Sequence, residues 1–120
     1  MIPGSPEYKR HHLWTEAIAL AHQTYALADT LAPGDAAEAR RLRRLAVTVP
    51  ARLAGALSSP DSPERAADVA EARAALQELA SSASRLPALP EGLSDLPRRA
   101  RILEGSVAME LGLSEDGFVC

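Results

Sequence analysis

The run at 39–57, ARRLRRLAVTVPARLAGAL, restricts the fold most, because it joins a helical apolar stripe, a cluster of arginines and an internal proline. At about 100° per residue, Leu42, Leu45, Ala46, Val49, Leu53, Ala56 and Leu57 fall on one arc. Arg40, Arg41, Arg44, Thr48, Ala51 and Arg52 fall on the opposite arc, with Arg43 and Val47 at its edge. Pro50 removes the amide that would bond the Ala46 carbonyl. Good helix formers flank it on both sides, so the reading is a kink at Pro50 rather than a helix end. A helix with one apolar arc buries it only against other helices, and the rest of the chain must supply them.

Composition agrees. A chain of 120 residues is one domain that buries about two thirds of the surface its unfolded form exposes. One Phe, one Trp and two Tyr give a β-rich core little to be made from, and Ala and Leu dominate, so the expected class is all-α. The first sixty residues hold seven basic and five acidic side chains, the last sixty six and eleven. That balance does not suggest a general nucleic-acid binder, which is usually basic throughout, and any polyanion has to meet a local patch. The single cysteine, Cys120, permits no internal disulfide and points to a reducing compartment. With no apolar run of membrane-spanning length and no signal-like N-terminus, the expectation is a soluble cytoplasmic protein.

Four helices are expected in order. Residues 1–10, with two prolines and a glycine, read as a loose arm. The first helix is expected over 11–31 with two adjacent stripes: Leu13, Ala17, Leu20, Thr24, Leu27 and Leu31, and one residue on, Trp14, Ile18, Ala21, Tyr25 and Ala28. So wide an apolar face either touches two neighbours within the chain or presents Trp14, Ile18, Ala21 and Tyr25 to another subunit. Ala32, Pro33 and Gly34 stop this helix, and Asp35 with Glu38 starts the next, which runs to Ser58. Ser62 as N-cap and Pro63 at the first helical position open a third helix over 63–86, with a heptad seam of Val69, Ala72, Leu76, Leu79, Ala83 and Leu86. A fourth helix over 96–113 follows Pro87, Pro90 and Gly92, its seam Leu96, Ala100, Leu103, Val107 and Leu111. The expected architecture is an up-down-up-down four-helix bundle over 11–113 with a flexible acidic tail at 114–120.

The segment RLAVTVPARLAGA at 44–56 resembles the R-A-A-V-S-I-P-A-N-I-A-E-G segment of a small bacterial four-helix-bundle family. That family includes proteins encoded in ribosomal RNA intervening sequences and the accessory variability determinant of diversity-generating retroelements. The aromatic and alanine pattern from Trp14 through Ala17 and Ala21 to Tyr25 is similar to its first helix, and ARAALQEL at 72–79 to its third. Arg52, Gly55-Ala56 and Ala74-Ala75 stand where the family carries Asn, Glu-Gly and Gly-Ser. The resemblance implies a ring-like homopentamer and, for the retroelement branch, a reverse transcriptase and its RNA as partners.

Catalytic chemistry finds no residue set. Neither G-x-S-x-G, a glycine-rich phosphate loop nor H-E-x-x-H occurs. His11, His12 and His22 are the only histidines. His12 and His22 lie ten apart on different sides of a helix, so no metal and no cofactor is expected. The arginines compete best. Arg40, Arg41, Arg44 and Arg52 share a face about 18 Å long, and the planar guanidinium suits phosphate. Their bland alternative is pairing with Asp68, Glu71 or Glu78 of the third helix, within or between subunits. Arg98, Arg99 and Arg101 extend the patch if the fourth helix lies nearby. The expected function is a non-enzymatic oligomeric scaffold that binds a partner protein, RNA or DNA through this face. The other reading is a self-associating bundle whose arginines are ion-paired at subunit contacts.

Overall fold

A computed structural model of the chain describes residues 7–59 and 61–112. All regular structure in them is helical: α1 (His12–Leu31), α2 (Ala36–Ser58), α3 (Arg65–Ser84) and α4 (Leu96–Val107), with a 3₁₀ turn (Glu7–Arg10) before α1 and a π turn (Ala108–Gly112) after α4. α1 packs on α2, α2 on α3, α3 on α4, and α4 back on α1. Neither diagonal pair meets among the described residues, so each helix has two helical neighbours. None of these helices is long and apolar enough to cross a membrane.

Local chemistry sets the helix ends. His11 caps α1, its Nδ1 accepting the Leu13 amide at 3.2 Å. Asp35 caps α2 as the sequence predicts, its Oδ1 accepting the Glu38 amide at 3.1 Å. α2 continues unbroken through Pro50. The start of α3 is a correction. Ser62 closes a turn one step earlier, its hydroxyl accepting the Glu64 amide at 3.1 Å and its carbonyl the Arg65 amide at 3.0 Å. Pro63 is therefore spent in the turn, and α3 opens at Arg65 behind Glu64, which makes no side-chain cap bond. The Ser62 hydroxyl also bonds the Glu64 carboxylate and holds it below the usual carboxylate range. Between α3 and α4, Gly92 takes φ +87 and the Leu93 amide bonds the Pro90 carbonyl, a turn whose third position favours glycine.

The core is one cluster of Leu, Ala and Val from all four helices. Leu13, Leu27, Leu42, Leu53, Leu76, Leu79 and Leu96 are fully buried, and the α3 and α4 seams lie inward from Val69 to Ala83 and from Leu96 to Leu111. Leu86, expected as the last seam residue, lies beyond the end of α3 and is half-buried. The α4 seam ends in two successive steps of four, from Leu103 to Val107 and on to Leu111. In a pure α-helix such steps drift off the core face. The i→i+5 bonding of the π turn takes up the extra residue and keeps Leu111 buried. Buried Thr24 turns its hydroxyl back on the Leu20 carbonyl at 2.8 Å, which satisfies it without a partner helix.

The described end of the expected N-terminal arm has regular structure. Glu7–Arg10 forms the 3₁₀ turn, which packs on α1 and α2, and Tyr8 meets Trp14 edge to face with ring centroids 5.5 Å apart. Residues 1–6, the tail expected at 114–120 and Cys120 lie outside the described residues.

Candidate functional site

The four arginines predicted as one binding face divide into two pairs. Arg41 is engaged on three sides: its guanidinium donates to Glu78 at 2.6 Å, to Glu38 at 3.0 Å and to the buried Ser82 hydroxyl at 2.6 Å. Arg52 pairs with Asp68 at 3.1 Å and Glu71 at 2.9 Å. These α3 acids are the partners that the sequence offers as the bland alternative, and here they belong to the same chain. Arg40 and Arg44 are exposed and form no ion pair among the described residues.

Every seam of the bundle carries such a tie. Arg43 reaches Asp29 across α1 and α2 at 2.8 Å, and Arg73 reaches Glu104 across α3 and α4 at 2.8 Å. Arg99 reaches Glu16 across α4 and α1 at 3.2 Å and donates to Gln23 at 2.9 Å. Exposed pairs of this kind add little stability each. An Ala and Leu core discriminates weakly between helix faces, so pairs at all four seams penalise wrong registers by separating charges. Arg98, Arg99 and Arg101 do not extend the α2 face: α4 makes no contact with α2, Arg98 pairs with Asp95 in its own first turn, and Arg101 bonds Ser84.

The second predicted set falls on a surface groove. Trp14, Ile18, Ala21 and Tyr25 of α1 line it with Val47, Pro50, Ala51 and Ala54 of α2, and Tyr8 joins them. The groove encloses about 400 Å³. Ala21 is only 8 % exposed and belongs mostly to the intramolecular packing, whereas Tyr25 and Val47 are 37 % and 52 % exposed. Pro50 has a role here that the helical pattern does not show, since its ring forms part of the groove's apolar wall. The other two exposed large hydrophobics among the described residues, Ile102 and Met109, lie on α4 and its π turn at 57 % and 73 %.

A third feature is absent from the sequence reading. A cleft of about 270 Å³ opens between α1 and α4, lined by His12, Leu13, Glu16, Arg99, Ile102, Leu103 and Ser106. At its mouth the π turn brings Glu110 to His12, with Nε2 to Oε1 at 2.8 Å, and the His11 and His12 rings stack with centroids 5.0 Å apart. The adjacent histidines were visible in the sequence, but their carboxylate comes from 98 residues away and no local pattern points to it.

No family model, curated protein or solved structure matches the chain.

Proposed function

We propose that the protein is a non-enzymatic helical scaffold that assembles with copies of itself, the α1/α2 groove of one chain receiving the exposed edge of α4 from the next. The observation that carries this reading is the division of the exposed large hydrophobics among the described residues into two sets, Tyr25 and Val47 on the groove and Ile102 and Met109 on α4 and its π turn. α4 touches α1 and α3 but not α2, so the two patches occupy different parts of the surface. A patch that meets a different patch on the next copy makes a head-to-tail contact, and such contacts close into rings when the rotation permits. A ring-like homopentamer is the form implied by the family resemblance. Short connections at 32–35 and 59–64 favour an up-down-up-down course within each chain. Light scattering on variants tests the contact: Tyr25→Glu on the groove and Ile102→Glu on α4 each reduce the assembly to single chains while far-UV helicity persists. Variants that keep the parent mass contradict it.

The Arg face supports a second element of this reading. Arg41 and Arg52 are committed to α3, which leaves Arg40 and Arg44 for an acidic protein surface or a nucleic acid, including the reverse transcriptase and RNA that the resemblance implies. A ring repeats this pair on every chain and multiplies a weak contact. Retention of a structured RNA by filter binding is expected to fall in Arg40→Glu with Arg44→Glu at unchanged oligomer mass. Equal retention by parent and variant contradicts the role of these two arginines.

A further inference from the structure

We propose that His11, His12 and Glu110 form a site for a divalent transition metal of the zinc class at the mouth of the α1/α4 cleft. One ligand atom from each lies within 4.8 Å of the others. Tetrahedral zinc with nitrogen and oxygen donors at about 2.0–2.2 Å holds its ligand atoms about 3.4 Å apart. His12 and Glu110 are exposed, so rotation of their side chains closes the remaining gap without moving the core. Two imidazoles and a carboxylate suit zinc and its neighbours rather than calcium or magnesium, which take oxygen ligands.

Two features of the fold serve the site. The π turn aims Glu110 at His12 while Leu111 beside it stays in the core, so the carboxylate rests on an anchored segment. The cleft that His12 shares with Glu16, Arg99 and Ser106 is open, and three protein donors leave a coordination position for water or a small ligand on that side. His11 now caps α1 through Nδ1. Metal at Nδ1 uses the lone pair that accepts the Leu13 amide, and metal at Nε2 moves the ring proton to Nδ1. Either way the cap is released, so metal binding and helix capping compete at His11. Bound metal also ties the start of α1 to the end of α4, and stabilises the fold because the unfolded chain offers no assembled site.

The test is calorimetric titration of the full chain with ZnCl₂, in parallel with Co²⁺ absorption and thermal unfolding. Saturable binding of one metal per chain is expected, with a visible band from bound Co²⁺ and a raised Tm. His11→Ser retains a capping side chain and removes the imidazole. It is expected to unfold at or above the parent temperature without metal and to lose the binding heat and the Tm shift. His12→Ala and Glu110→Gln lose them as well, whereas His22→Ala and Cys120→Ser keep them. Absence of binding by the parent chain, or binding that survives in His12→Ala and disappears in Cys120→Ser, overturns the assignment.

Discussion

Arg41 organises more polar contacts than any other described side chain, joining Glu38 of its own helix to Glu78 and buried Ser82 of α3. Arg52 also spans to α3, but from an exposed guanidinium, and of its two acids only Asp68 is mostly buried. The two are therefore unequal although they share a helix face. Arg41→Ala is expected to lower stability in urea by about 1–2 kcal/mol, since it unpairs two carboxylates and leaves buried Ser82 only a long 3.5 Å bond from Arg85, and Arg52→Ala by about 0.5–1 kcal/mol, since Arg52 and Glu71 are exposed although Asp68 is mostly buried. Equal losses would contradict the difference in burial. Gly55 is the other residue whose identity matters to this seam. A Cβ built there meets Asp68 Oδ2 at 2.6 Å and touches only that side chain, so an added methyl group requires the Asp68 carboxylate to shift. Gly55→Ala gains about 1 kcal/mol of helix propensity and displaces the Asp68 carboxylate from Arg52, two effects that oppose each other. Net stability within about 1 kcal/mol of the parent is expected, together with loss of the Arg52–Asp68 coupling in a double-mutant cycle.

At the scale of elements, α2 shows what the sequence makes legible. Its bounds follow from the Asp35 cap and the turn after Ser58, and its buried face is the arc that Leu42, Leu45, Val49 and Leu53 define. The acids that receive Arg41 and Arg52 were nameable in advance, because α3 follows α2 through a short turn and its exposed acids are few. The ties made by Arg43, Arg73 and Arg99 were not, since periodicity assigns a residue to a face but does not say which helix lies beside that face. The late start of α3 escaped for a local reason. Ser62 satisfies both a turn and a cap pattern, and the turn uses it first. Glu110 was beyond reach because its position depends on a π turn that only the burial of Leu111 explains. Pro50 sits mid-helix and leaves the Ala46 carbonyl without its intrahelical amide. Pro50→Ala is expected to raise stability by about 1–3 kcal/mol by thermal or urea unfolding. A loss instead would mean that the packing of α1 on α2 requires the shape that proline imposes.

For the whole molecule, the four seams and the two exposed patches answer different questions. The seams, each crossed by an Arg and a carboxylate, specify which helices are neighbours inside one chain. The patches, Tyr25 with Val47 and Ile102 with Met109, are apolar surface that this internal order leaves uncovered. In the proposed assembly further copies of the chain cover them, and because the patches differ, that contact would run head to tail. Charge enters only at the edge: Arg40 and Arg44 lie outside the seams, in a chain that is acidic overall. The most direct test is the mass of the purified protein by light scattering over a range of concentrations. The account predicts a mass of several chains, near five if the ring closes as the resemblance implies, that collapses to one chain in both Tyr25→Glu and Ile102→Glu. A parent protein that remains a single chain at every concentration would contradict it.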